Sequence, residues 1–184
     1  MFKKSLLPAL LTTILLFQGC SSEKSGDANS MISTNEYLLT GLNNQQYVVK
    51  KQAGDFLLEN AKGKVVIFDI FATWCPPCRA AATHLSSLQE KYKDDVIIIG
   101  LSIEDNITNE KLQDFRKEYG ADYILVNSSQ NRILADKIVN ELNLGERYPI
   151  PIMALYMDGK YINHYIGSIQ EEFIESDIKK ALGK

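Results

Sequence analysis

Phe68-Asp69-Ile70-Phe71-Ala72-Thr73-Trp74-Cys75-Pro76-Pro77-Cys78 joins a buried strand to a helix, and its reading decides the fold. Val65 to Phe71 is a nearly unbroken apolar run with Asp69 inside it, bounded by Gly63-Lys64. Such a run reads as a central strand buried on both faces. Pro76 to Tyr92 has good helix formers and places Ala80, Ala81, Leu85, Leu88 and Tyr92 at helical spacing. Cys75 therefore falls at a helix start, where unpaired backbone N–H groups and the dipole favour an anion. A Cys75 thiolate is such an anion, so its pKa should lie below the free value of about 8.5. Cys78 lies nearly one turn on, where it should be more buried and able to reach back to the Cys75 sulfur. That geometry suits two-step exchange, with Cys75 meeting a partner disulfide and Cys78 resolving the mixed disulfide. Pro76 fits the helix start because its missing N–H would lack a helical partner anyway.

The rest of the chain fits around this unit. Tyr37 to Leu42 and Gln46 to Lys51 flank Asn43-Asn44 and suggest a leading β-hairpin. Val96 to Ile103 reads as a second buried strand. Thr108 to Tyr119 reads as a helix capped by Thr108 and stopped by Gly120. A short strand over Tyr123 to Val126 and a helix over Asn131 to Leu142 follow. Ile152 to Met157 and Tyr161 to Ile166 flank Asp158-Gly159 and form a second hairpin. A helix over Glu171 to Leu182 closes the chain, with Phe173, Ile174, Ile178, Ala181 and Leu182 on one face. Alternating strands and helices predict an α/β fold whose mostly parallel sheet is covered on both faces. The closing hairpin adds antiparallel strands, so the sheet should be mixed.

The quoted segment resembles the active-site segment of thioredoxin-like proteins. It is most similar to the envelope-anchored TlpA/ResA-type thiol-disulfide oxidoreductases, in which Ala-Thr-Trp-Cys-x-Pro-Cys is typical. Ile150-Pro151 before an apolar strand matches the family's cis-proline site, and Pro149 is a second candidate with poorer spacing to Gly159. Gly167 precedes the last helix, as in thioredoxin. The stretch from Cys78 to Pro151 is longer than in plain thioredoxin by roughly one helix and one strand, the insertion that the TlpA/ResA group carries. The resemblance covers residues 37 to 183. It implies a thioredoxin-like mixed β-sheet flanked by helices, with an N-terminal hairpin and a central helix–strand insertion. It implies no cofactor beyond the Cys75–Cys78 disulfide.

Asp69 precedes Cys75 by six residues, as the buried acid of thioredoxin does, where many TlpA-type sequences carry Asn. A buried carboxyl beside Cys78 should have a raised pKa and could take the proton when Cys78 attacks; the alternative is a strand-edge Asp bonded to backbone. The resemblance makes Trp74, Pro76, Pro77, Ile150 and Pro151 the substrate-facing residues. Trp74 should shield the motif and offer a flat apolar surface. Ile150 and Pro151 should lie against Cys75 and pair with an extended client.

The first twenty residues belong to another regime. Lys3 and Lys4 precede an apolar run from Leu6 to Phe17, then Gly19 and Cys20. Twelve helical residues rise about 18 Å, short of a hydrocarbon core of about 30 Å, so the run reads as a secretory signal. Leu16-Phe17-Gln18-Gly19-Cys20 resembles a lipoprotein signal box, with Cys20 as the acylated residue of the mature chain. The expected organisation is a signal over 1–19, lipidated Cys20 with a flexible tether over 20–36, and the domain over 37–184. With Cys20 lipidated, Cys75 and Cys78 are the remaining two of three cysteines. Structural disulfides usually close longer loops, so this pair reads as redox-active. The expected setting is a bacterial cell envelope, with a lipid anchor and the domain facing the periplasm or exterior.

At 184 residues, 45% hydrophobic and 23% charged, the chain is neither disordered nor polytopic. Its net charge is −3, and −5 once residues 1–19 and their two lysines are removed. A weakly acidic chain has no electrostatic footprint for nucleic acid. A zinc site needs two more ligands, and His84 and His164 form no ligand pair with the motif; both read as partly exposed scaffold residues. A non-catalytic lipoprotein adaptor that binds through the groove around Trp74 is the alternative of another class.

Within the redox reading, the expected direction is reduction of disulfides in exported proteins. The resemblance implies a DsbD-type membrane electron donor as recharging partner, and apocytochrome c as one candidate client. An envelope oxidase or isomerase is the alternative. Arg79 is the one cation beside the motif, and as a helical residue it is expected to point to solvent.

Overall fold

The computed structural model describes residues 35–184. The expected signal over 1–19, Cys20 and nearly all of the tether lie outside the described residues.

Twelve elements follow in chain order: β1 (Glu36–Thr40), β2 (Gln46–Gln52), β3 (Asp55–Leu58), β4 (Val65–Phe71), α1 (Pro76–Lys91), β5 (Val96–Ser102), α2 (Asn109–Tyr119), β6 (Ile124–Val126), α3 (Asn131–Glu141), β7 (Ile152–Met157), β8 (Lys160–Ile166) and α4 (Glu171–Leu182). Five strands form one sheet in the order β6-β5-β4-β7-β8, and β1-β2-β3 form a second, antiparallel sheet. The pairs β4–β5 and β5–β6 are parallel, whereas β4–β7 and β7–β8 are antiparallel. Within the five-stranded sheet parallel and antiparallel pairings are thus equal in number, where the alternation of elements pointed to a mostly parallel but mixed sheet.

All seven residues of β4 are buried because the strand is central, with β5 on one side and β7 on the other. Its side chains alternate between two cores. Val66, Phe68 and Ile70 face a core with α3 and the three-stranded sheet, where Leu134, Ile138, Val49 and Phe56 pack. Val65, Ile67 and Phe71 face a core with α1, α2 and α4, where Leu85, Phe115, Ile174 and Ile178 pack. Full burial of a Phe or Leu side chain contributes about 1.5–3 kcal/mol, so these two layers hold the site's scaffold rigid. Asp69 shares the face of Ile67 and Phe71 and is the polar exception in β4.

Several local signals act as the sequence suggests. The Thr108 hydroxyl caps α2 by accepting from the Lys111 N–H at 3.1 Å, and Gly120 ends it in the left-handed conformation at φ 61°. Asp158 and Gly159 turn β7 into β8 with φ of 50° and 85°.

Three details differ. β3 is a strand that the sequence does not announce, because its turn is Ala53-Gly54, with Ala53 left-handed at φ 49°. Alanine in that conformation carries no turn signal. On α1, Ala82 is buried with Ala81 while Ala80 is exposed. On α4, Phe173 is exposed, since the buried stripe runs through Ile174 and Ile178 and leaves position 173 at its edge.

Candidate active site

Cys75 is the N-cap of α1, with extended backbone at φ −83° and ψ 114°. Its Sγ accepts the Cys78 N–H at 3.4 Å and is bonded to the Cys78 sulfur, with the two Cα atoms 5.3 Å apart. Pro76 and Pro77 fill the first two helical positions and have no N–H to offer. The Arg79 N–H goes to the Cys75 carbonyl oxygen at 3.1 Å. One helix-end donor, that of Cys78, therefore faces the Cys75 sulfur. Cys75 and Cys78 are 3% and 2% exposed, so the expected contrast in their burial is absent in the disulfide.

Trp74 is 60% exposed beside this buried pair, as a surface for docking requires. Pro76 and Pro77 are exposed as well. From across the chain, the Ile150 carbonyl oxygen lies 3.7 Å from Cys75 Sγ. The Ile150–Pro151 peptide is cis, Pro151 is buried, and its carbonyl accepts the Gly167 N–H at 2.8 Å. Of the two proline candidates, Pro151 is thus the one with the cis bond, and the carbonyl that precedes it faces the sulfur.

Asp69 is 2% exposed and sits beneath α1 on the face of β4 that Cys78 packs against. Burial raises its pKa to about 7, against a lowering by the hydrogen bond from the Tyr123 hydroxyl at 2.8 Å. This carboxyl is not bonded to strand-edge backbone, because Oδ2 takes that hydroxyl and Oδ1 has no partner among the described residues.

The loop before Cys75 is clamped by residues that the motif does not reveal. Glu104 accepts from the Thr73 N–H at 2.6 Å and from the Thr73 hydroxyl at 3.1 Å, and Lys111 pairs with the same carboxylate. Burial pushes the Glu104 carboxyl up, but the Lys111 and Thr73 hydrogen bonds outweigh it and hold the pKa below the usual value. Arg79 does not point to solvent. Its Nε donates to the Thr73 carbonyl at 2.8 Å, and its guanidinium lies 4.9 Å from the Tyr119 ring centroid. The reason is the N-cap turn, which brings the Thr73 carbonyl back over the first turn of α1. No local pattern marks Glu104 or Tyr123, because their contacts span 31 and 54 residues.

Removing the Glu104 carboxylate should therefore loosen Trp74. Glu104→Ala leaves the Thr73 N–H unpaired and is expected to cost about 1–3 kcal/mol in urea unfolding. Trp74 is the one tryptophan, so its fluorescence anisotropy should fall in the same variant. Unchanged anisotropy together with unchanged stability would dismiss the clamp.

His84 Nδ1 lies 3.0 Å from the Ile169 carbonyl, and His164 Nδ1 lies 2.7 Å from the Tyr161 hydroxyl; both rings are partly buried. Among the described residues no group of three or more His, Cys, Asp and Glu is placed to hold a metal ion.

A mixed five-stranded sheet, a Cys-x-x-Cys disulfide at a helix start and an X-Pro loop beside its first sulfur define a thioredoxin-like domain. The chain belongs to the Redoxin family, whose model matches residues 44–180. Thiol-disulfide oxidoreductase ResA of Bacillus thuringiensis (strain Al Hakam) is 28% identical over 125 residues, which cover 67% of this chain and 66% of that protein. The match thus spans just under two thirds of that relative's length. Thioredoxin-like protein YneN of Bacillus subtilis (strain 168) is 27% identical over 103 residues, covering 48% of this chain and 61% of that one. Among solved structures, a thioredoxin-family thiol:disulfide interchange protein from Chlorobium tepidum TLS superposes with a TM-score of 0.63 at 21% identity. That superposition covers 81% of this chain and 94% of the other. StoA from Bacillus subtilis superposes at 0.56 with 17% identity, covering 79% and 98%. These superpositions share the fold.

Proposed function

We propose that this domain is a thiol-disulfide oxidoreductase that reduces disulfides of exported proteins from a lipid anchor at Cys20. The observation that carries the reading is Cys75 at the helix start, with the Cys78 N–H and the Ile150 carbonyl against its sulfur. In the reduced chain the Cys75 thiolate attacks a client disulfide. The client S–S bond breaks, and one client sulfur leaves as a thiolate that takes a proton from water. Cys78 then gives its proton to Asp69 and attacks the Cys75 sulfur. The mixed disulfide breaks, the second client sulfur leaves, and Cys75–Cys78 is the product disulfide. Two electrons have passed to the client. A DsbD-type membrane dithiol would restore the reduced pair by the reverse exchange. Trp74, Pro76, Pro77, Ile150 and Pro151 would form the client-facing surface, with apocytochrome c as a candidate client. The ResA relatives, described as thiol-disulfide oxidoreductases, are consistent with this chemistry.

The reductive direction follows from how little stabilises the Cys75 thiolate. Two prolines remove two of the helix-end donors, Arg79 is engaged by Thr73 and Tyr119, and the Glu104 carboxylate sits one residue from Trp74. A weakly stabilised thiolate makes a reducing couple. The potential should lie nearer the value of about −270 mV for thioredoxin than the value of about −120 mV for the oxidant DsbA. Equilibration of the purified domain against glutathione reads it. A potential above about −150 mV would replace the reductase with an oxidase.

A further inference from the structure

Tyr123 stands immediately before β6, yet its hydroxyl reaches two strands inward to Asp69 on β4. The strand between them is β5, and the β5 residue in register with Asp69 is Gly100. A Cβ on Gly100 would lie 3.1 Å from Tyr123 Cε2, 3.1 Å from Phe71 Cε1 and 2.7 Å from Leu125 Cδ2. Glycine at this position leaves the space that the Tyr123 ring crosses. The ring's backbone is held in turn by α2, whose Arg116 Nη2 donates to the Tyr123 carbonyl at 2.8 Å while its Nε donates to the Ala121 carbonyl at 3.3 Å. The helix–strand unit of α2 and β6 therefore delivers a hydroxyl to the floor of the site.

We infer that Tyr123 is a positioning residue that holds Asp69 by Oδ2 and leaves Oδ1 as the oxygen that receives the Cys78 proton. This rests on the role of Asp69 given above. A hydroxyl donor favours the ionised carboxylate, which burial alone would suppress. It also fixes the carboxyl plane, so the second oxygen cannot turn to the same partner. The groups that face Asp69 are few. Tyr123 comes from the segment before β6, while β5 presents Gly100 and β7 presents Met153 in register. The core on this face of β4 includes Cys75 at the α1 N-cap, Cys78 on α1, and Ile174 and Ile178 on α4. Arg116 on α2 acts through the Tyr123 carbonyl. Among the described residues Tyr123 is thus the one side chain that donates to Asp69, and it does not itself ionise there. Burial, then the Asp69 charge, push its hydroxyl pKa well above the ordinary value.

The test uses the full chain and two readouts. In the oxidised chain, where neither cysteine titrates, the Asp69 ¹³Cγ shift should inflect at about 7. Tyr123→Phe should move that inflection up by about one pH unit, the shift expected for one lost charge-assisted hydrogen bond. In the unmodified chain, the Tyr123 ¹³Cζ shift should inflect at the same pH as Asp69, which needs no variant at all. The pH profile of client disulfide reduction should move with the carboxyl, so the Tyr123→Phe rate at pH 7 should fall about fivefold and recover in alkali. In an Asp69→Asn background, Tyr123→Phe should leave the profile unmoved. An Asp69 titration unchanged by Tyr123→Phe, with no inflection at Tyr123 ¹³Cζ, would overturn the inference and spare the Asp69 reading. A rate profile that Asp69→Asn itself does not alter would overturn both.

Discussion

Cys75→Ser is expected to reduce client disulfides no faster than background, a loss on the order of 10³-fold or more, because the attacking sulfur is gone. Cys78→Ser should behave differently. It retains Cys75 at the α1 N-cap and the 3.4 Å N–H contact from residue 78, so the first attack survives. Without the resolving sulfur the reaction stops at the mixed disulfide. Exported proteins should then accumulate as covalent adducts of Cys78→Ser, released by excess thiol, and should be absent from Cys75→Ser. The two variants remove equivalent atoms from equally buried positions, so a purely structural disulfide would make them alike. Non-reducing electrophoresis followed by mass spectrometry checks this. Equal trapping by both variants would reverse or cancel the assignment of roles, and no trapping by either would favour a non-catalytic adaptor.

Asp69→Asn is expected to slow reduction and stabilise the fold in one step. Without a proton acceptor beneath α1, resolution by Cys78 should slow on the order of 10²-fold near neutral pH, the low end for general base catalysis. Stability moves the other way. Asp69 is held at about 7 when folded, against an ordinary value of 3.8, so the native chain binds this proton more tightly than the unfolded chain. Its stability contribution is complete below the ordinary value, declines as pH rises between the two values, and levels off above about 7. The loss over that window is about 4 kcal/mol at most. Asn keeps a carbonyl for the Tyr123 hydroxyl and never ionises, so it resembles the protonated acid. Urea unfolding of the oxidised variant and the unmodified chain should coincide below about pH 4, separate as pH rises to about 7 and stay apart above it, with the variant more stable. A variant less stable than the unmodified chain at pH 8 would show that burial does not hold the Asp69 pKa above its ordinary value in the native state.

The parts of this site that are legible in the sequence are those encoded locally. A seven-residue apolar run, Cys75 and Cys78 at a strand-to-helix junction, and Ile150-Pro151 before a second apolar run each carry their meaning within a few residues. Asp69 stands out for the same reason, as a lone acid in an otherwise apolar central strand. Thr108, Gly120 and Asp158-Gly159 mark element ends through backbone preferences that act within one turn. What escapes such reading depends on distant pairing. Glu104 matters because β5 ends where its carboxylate meets the Thr73 loop, and nothing in Ile103-Glu104-Asp105 says so. Tyr123 looks like an ordinary strand aromatic until β5 supplies Gly100 for its ring to cross. β3 escapes because its turn uses a left-handed alanine, which tertiary packing of Phe56 and Leu58 enforces against local preference.

The central claim is that Cys75 is the nucleophile of a redox pair whose second sulfur is held in reserve. Its most direct test is the pH dependence of iodoacetamide alkylation of the reduced domain, followed separately at the two sulfurs by peptide mass spectrometry. The helix-start position predicts that Cys75 reacts well below the free thiol value of about 8.5, while Cys78 stays slow throughout. Equal rates at Cys75 and Cys78 across the pH range, both rising only near pH 8.5, would contradict it.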